Sequence, residues 1–180
     1  MPRLFVAIDL PDGHKTKLAE LRDDALPGRW TPLQQYHLTL RFIGEVDEDR
    51  AATVEQALAD LRGEAFSLQG RALGVFPSRR RPRVLFAALD PAPALLALQT
   101  QVEHALRAIG FDAEQKSFHP HVTLARLRRA HPPTVRAFLQ AHQTFTLDPC
   151  EVNRYYLYES VLRREGALHR RRAMFELRDP

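Results

Sequence analysis

The chain uses one short phrase twice: His37-Leu38-Thr39-Leu40 returns as His121-Val122-Thr123-Leu124. Each copy sits in a run of alternating polar and apolar residues, the pattern of a half-buried β-strand. Side chains alternate along a strand, so the His and Thr of one copy share a face while Leu38 and Leu40, or Val122 and Leu124, point into the core. The same alternation expects Phe42 inside, with Leu38 and Leu40, and Arg41 outside, with His37 and Thr39. Two such strands brought together would set two imidazoles and two hydroxyls around one small space. That is equipment for acid–base chemistry on an anionic centre.

The rest of the chain reads as strands and helices around these two phrases. Arg3 to Ile8 is a buried strand, followed by an amphipathic helix from about Gly13 to Leu26 that Pro27-Gly28 ends. A loop with Trp30 and Pro32 leads into the first histidine strand, Tyr36 to Ile43. Asp47 is placed to cap a helix reaching Leu61. Two strands, Ala65 to Phe76 and Arg83 to Leu89, then flank an arginine-rich turn. A helix from Asp90-Pro91 to Ile109 carries Leu95, Leu98, Val102 and Leu106 inward and stops at Gly110. After the second histidine strand, Ser117 to Arg126, come a short helix from Pro133 to His142 and strands near residues 145–147, 153–161 and 171–177. Consecutive strand pairs argue for α+β with antiparallel sheets rather than a parallel sheet. The two halves look like cousins, each owning one His-x-Thr phrase. No linker of Pro or Gly separates them, so residues 1–180 read as one two-lobed domain.

Composition bounds the function more loosely. The net charge is +4, and Lys15, Lys17 and Lys116 are the only lysines. Arginine suits phosphate because its planar fork donates two hydrogen bonds at once. Arg79, Arg80, Arg81 and Arg83, around Pro82, form the candidate nucleic-acid contact, against the alternative of a merely solvated turn. Apolar runs are too short to span a bilayer, and the N-terminus reads as a strand rather than a signal peptide. One cysteine, Cys150, excludes an internal disulfide and fits a reducing cytoplasm. The expected protein is cytoplasmic and monomeric, with no membrane partner.

A phosphodiester held between His37 and His121 would meet a base for the attacking water and an acid for the departing oxygen. Thr39 and Thr123 could hydrogen-bond the non-bridging oxygens. This scheme needs no metal and no cofactor. A zinc reading competes with it, because His119 and His121 share strand parity and His37 could be a third ligand. Pro120 between them puts this strand at an edge or makes its start irregular. His14, His104, His131, His142 and His169 fall off the apolar stripes and read as surface residues. Cys150 has no general base beside it in sequence.

The paired phrases resemble the 2H phosphoesterase superfamily, and more narrowly its RNA 2′,3′-cyclic phosphodiesterases, long labelled 2′-5′ RNA ligases. The likeness extends through RLFVAIDLP, YHLTLRFIGEV, GVFPSRRRPRVLFAAL, FHPHVTLARL and YLYESVLRREG, in that order along nearly the whole chain. It implies a bilobal α+β fold with a cleft between pseudo-symmetric lobes. It also implies metal-independent opening of a 2′,3′-cyclic phosphate on RNA to a 2′-phosphate. By this likeness His37 protonates O3′, His121 activates water, and Arg126 contacts phosphate. Simple alternation puts Arg126 on the face opposite His121, so that contact requires a bulge, a twist or a strand end. Relatives often carry Tyr where Gly166-Ala167-Leu168-His169 stands here. Tyr36 and Phe118 are the candidates for stacking on a base. The rival functions are ATP-independent 2′-5′ RNA ligation, RNA-end binding without catalysis, and hydrolysis of small cyclic nucleotides.

Overall fold

The computed structural model describes residues 1–163 and 166–179. Its elements are β1 (Arg3–Asp9), α1 (Asp12–Ala19), β2 (Gly28–Trp30), a 3-10 turn (Leu33–Gln35), β3 (His37–Glu45) and α2 (Glu48–Ala59). Then follow β4 (Phe66–Ser78), β5 (Arg81–Leu89), α3 (Pro93–Ala108), β6 (His121–Leu127), α4 (Pro132–Ala141), β7 (Thr146–Val152), β8 (Arg154–Arg163) and β9 (Gly166–Glu176).

Among the described residues the strands pair antiparallel in the order β7-β4-β5-β6-β3-β1-β8-β9, with β2 added beside β6. The fold is α+β and bilobal: β7, β4, β5 and β6 form one lobe's sheet, and β3, β1, β8 and β9 the other's. The two expected sheets are in fact joined. One pair, Leu38 with Val122, links β3 to β6, and β2 then takes over the same edge of β6 at Ala125 to Leu127. The strands that carry the histidines therefore meet at the middle of the molecule and part immediately.

Helices cover one face. Leu4, Val6 and Ile8 of β1 point into the main core, with Leu38, Leu40, Leu85, Ala87, Val122 and Leu124 from the neighbouring strands. The opposite face of β1 buries Phe5 and Ala7 against Tyr156 and Tyr158 of β8 in a second, smaller cluster. Local signals explain the helix ends. Asp47 accepts from the Arg50 backbone N–H at 2.7 Å to start α2. Gly110, at φ +88, takes the left-handed conformation that ends α3.

The first helix is shorter than its apolar spacing predicts. It ends at Ala19, because Leu21 and Arg22 tighten onto Leu18 and Ala19 carbonyls and Asp23 captures the Ala25 N–H with its side chain at 2.8 Å. Such a local side-chain bond competes with helix propagation. Leu21 and Leu26 are buried all the same, from a turn rather than a helix. The loop around Trp30 contains a strand, β2, and the last strand begins at Gly166 rather than near Arg171. None of the helices is long and apolar enough to cross a membrane, among the described residues.

Candidate active site

Register places both phrases on one face. Because Leu38 opposes Val122 in an antiparallel pair, His37 lies diagonally across from His121, with Thr39 and Thr123 completing the square. Leu38 and Val122 are fully buried beneath them.

The histidines are held by the same device in both lobes. Nδ1 of His37 meets the Gln35 carbonyl at 2.7 Å, and Nδ1 of His121 meets the His119 carbonyl at 2.6 Å. A carbonyl can only accept, so each Nδ1 carries the proton and each neutral ring keeps its lone pair on Nε2. For His37 that lone pair receives the Thr39 hydroxyl at 3.1 Å. In both copies the anchoring carbonyl stands two residues before the histidine. The 3-10 turn supplies it in one lobe and the Pro120-interrupted entry to β6 in the other.

A second shared device follows each phrase. On β3, Ala7 opposes Thr39 while Val6 opposes Arg41, so Leu40 is an extra, bulged residue. On β6, Phe86 opposes Thr123 while Leu85 opposes Ala125, and Leu124 is the extra residue. Each bulge reverses the parity that the alternation assumes. Arg41 is thereby turned toward the helices, where it pairs with Glu103 at 2.8 Å and Glu114 at 3.0 Å. Phe42 comes out on the histidine face and is 57% exposed, so the expectation that it faces the core is corrected. Arg126 comes out on the face of His121 and Thr123, exposed. Arg126 and Phe42 are thus equivalent positions in the two lobes. Arg29 of β2 stands opposite Arg126 in register; it lies in the segment expected to be loop, and no sequence signal singled it out.

The walls around the two rings differ. His37 is enclosed by Phe5 (centroids 5.0 Å apart), Tyr158 (6.2 Å) and His169 (5.3 Å, edge-on). Burial drives its pKa down to about 4, against a carbonyl bond from Gln35 and the Asp9 carboxylate, which both favour the charged ring, while His169 adds to the fall. Asp9 sits opposite His37 on β1 and is held by the buried Lys15 at 2.7 Å and by Arg171. Arg171 in turn lies over the Tyr156 ring at 4.6 Å.

His121 packs edge-on against Phe76 (5.1 Å) and Phe86 (5.4 Å), which stack on each other at 4.1 Å. Gly74 makes this stack possible, since a Cβ there would come within 2.5 Å of the Phe86 ring. Burial lowers the His121 pKa as well, against the carbonyl bond from His119, which favours the charged ring, while the charge of the His119 ring adds to the fall.

His169 was expected at the surface; the early start of β9 instead brings it against His37 and Phe5. Its pKa is also lowered by burial. His104 and His131 are exposed, while His14 and His142 are half-buried and each bonds a backbone carbonyl. Tyr36 is a core residue and Phe118 packs against the core. Cys150 lies on β7, and burial pushes its thiol pKa up. Among the described residues no three His, Cys, Asp or Glu side chains converge as a metal-binding group. His119 gives its carbonyl to His121, and its ring lies 6.5 Å from Phe76. Arg79, Arg80, Arg81 and Arg83 stand at the β4–β5 turn, away from both histidines, since β5 reaches the level of His121 only at Ala88.

The sequence pattern of the family described as "LigT like Phosphoesterase" matches residues 8–86 and 88–169, which include both histidine strands. The chain belongs to this family. This LigT-like phosphoesterase is 37% identical over 160 residues to a protein of Aeropyrum pernix named RNA 2′,3′-cyclic phosphodiesterase, covering 86% of this chain and 91% of that one. A Thermus thermophilus protein of the same name is 34% identical, over 98% of this chain and 90% of the other. Among solved structures, E. coli LigT complexed with 3′-AMP aligns with a TM-score of 0.81 at 25% identity, covering 98% of this chain and 99% of that one. The arrangement of sheet and helices in this LigT-like phosphoesterase is therefore that of its structural neighbours.

Proposed function

We propose that this protein hydrolyses RNA 2′,3′-cyclic phosphate ends to 2′-phosphates, using His37 and His121 as an acid–base pair without a metal. The observation that carries the reading is the identical tethering of the two rings. Each Nδ1 is tied to a carbonyl, and each Nε2 is left to work over one space shared with Thr39 and Thr123. The names of the relatives and the nucleotide bound by E. coli LigT supply the substrate class.

In this reading water attacks phosphorus and gives its proton to Nε2 of His121. The P–O3′ bond breaks, and Nε2 of His37 supplies the proton that O3′ takes up. In-line displacement sets the entering and leaving oxygens on opposite sides of phosphorus, as two rings on separate strands require. This division of roles is the one the family likeness implies. The Asp9 carboxylate beside His37 favours its protonated form, against the larger effect of burial, and the less buried His121 is the ring that meets solvent. Both rings are neutral at pH 7 in the free protein. An anionic phosphate between them raises their proton affinity, so substrate binding itself loads the acid. Thr39, Thr123 and Arg126 donate to the non-bridging oxygens.

The test is incubation of an RNA ending in a 2′,3′-cyclic phosphate with the protein in EDTA, followed by end-group identification. The account expects a 2′-phosphate. A 3′-phosphate product, or turnover only after a divalent metal is restored, contradicts it.

A further inference from the structure

The arginine-rich turn between β4 and β5 does not stand alone. Arg80, Arg81 and Arg83 share the lining of an open groove of about 840 Å³ with Arg128 and Arg129, which follow β6. Two segments distant in sequence thus deliver five guanidinium groups to one place, and the lining holds no acidic residue. By contrast, Arg41, Arg71, Arg171 and Arg172 each pair with a carboxylate. Among the described residues none of the five groove arginines forms an ion pair with a side chain of this protein. Crowding unneutralised like charges opposes folding, and a bound polyanion relieves it. Arg129 moreover adopts a left-handed backbone, φ +50, which is unusual for a residue with a side chain.

The groove is in line with the candidate active site. β6 carries His121, Thr123 and Arg126 on one face and ends at Leu127, so Arg128 lies up to about 23 Å from His121 at about 3.3 Å per residue. A stacked strand covers that span in about seven nucleotides at 3.4 Å each. The groove lining has no aromatic ring, so charge-assisted contacts from the guanidinium groups to the sugar–phosphate backbone dominate what it recognises.

We propose that this groove is a backbone-binding subsite for the single-stranded RNA upstream of the cyclic phosphate. The proposal rests on the phosphodiesterase reading for its direction, and it makes the physiological substrate an oligonucleotide rather than a free cyclic nucleotide. Binding follows phosphates, so it is independent of base sequence and sensitive to salt.

The test measures binding and turnover separately. Anisotropy of a 5′-labelled decaribonucleotide bearing a 3′-phosphate is followed from about 50 to 200 mM salt, for the wild type and for the combined variant Arg80→Gln, Arg83→Gln, Arg128→Gln. The expected result is at least about 10-fold weaker binding by the variant, and a slope of log affinity on log salt smaller by about 2, from about 0.7 per lost contact. Equal affinity and slope would overturn the proposal. The ratio of kcat/KM for the cyclic-ended decamer over a cyclic mononucleotide should fall by a similar factor, and an equal loss on both substrates also counts against the groove. The unmutated protein gives an independent reading. Its salt slope must be steeper for the decamer than for a dinucleotide, and equal slopes refute the subsite. Failure of the wild type to turn over either substrate defeats the phosphodiesterase reading, while the binding data still decide the groove.

Discussion

The two lobes solve one problem with the same backbone and different walls. Each sets a histidine at the start of a strand, ties its Nδ1 to the carbonyl two residues earlier, and bulges at the leucine that closes the phrase. Around that shared frame the first lobe packs Phe5, Tyr158 and His169 and brings a carboxylate near the ring, while the second packs Phe76 and Phe86 and leaves the ring more open. The bulge then turns out Phe42 on one side and Arg126 on the other. Duplicated geometry with divergent surroundings is how two chemically identical imidazoles acquire different proton affinities. It also gives the cleft one apolar and one cationic wall.

The largest test of this comparison removes the rings. His37→Ala and His121→Ala should each lower turnover of a cyclic-phosphate RNA by at least about 10²-fold with folding retained, as for loss of a positioned acid or base. Near-normal turnover by either variant would break the equivalence of the lobes. Next come the residues that the bulges expose. Arg126→Ala should cost roughly 10-fold or more in kcat/KM, the scale of a charge-assisted hydrogen bond. Phe42→Ala should cost only a few-fold, mostly in KM, and a reversal of that order would show that the walls have been assigned the wrong way round.

Gly74→Ala probes the Phe76–Phe86 wall without touching a polar group. The added methyl displaces Phe86, and kcat should fall about 3- to 10-fold through a loosened His121, about the cost of a small misplacement. The smallest effect is a pH shift. The free protein's kcat/KM should be bell-shaped, falling below about pH 4, where His37 and His121 are both charged and no base remains. On the other side it falls above the depressed His121 pKa, below 6.5, where both rings are neutral and no acid remains. His169→Tyr removes a group that opposes protonation of His37, so the acid limb alone should move upward, by less than about one unit.

Much of the fold was legible in the sequence because the apolar periodicities are clean. The β1, β3, β5 and β6 patterns, the α3 stripe and the α+β class were all readable from side-chain spacing, and so were the four residues that the 38/122 pair brings together. What stayed hidden was parity. Period-2 reasoning carries a face assignment only as far as the next bulge, and each histidine strand bulges one residue beyond its threonine. Phe42 and Arg41 were therefore assigned to the wrong faces, and Arg126 could be placed only by a bulge that nothing in its composition announces. His169 was misplaced for another reason. The segment Gly166 to Arg172 is poor in β-branched residues, and its strand character comes from pairing with β8 rather than from its own propensity. The groove was half legible: Arg80, Arg81 and Arg83 stood out within a basic run whose first member, Arg79, does not line the groove, whereas Arg128 and Arg129 join it only through the fold.

A double-mutant cycle tests the central claim, that the two histidines act together on one phosphate. Turnover of the cyclic-ended RNA is measured for the wild type, His37→Ala, His121→Ala and the combined variant. Residues that act as a unit are grossly non-additive, so the combined variant should be hardly slower than the slower single variant. Losses that multiply, giving a combined variant slower by the product of the two single effects, would mean that the rings work independently and would contradict the account.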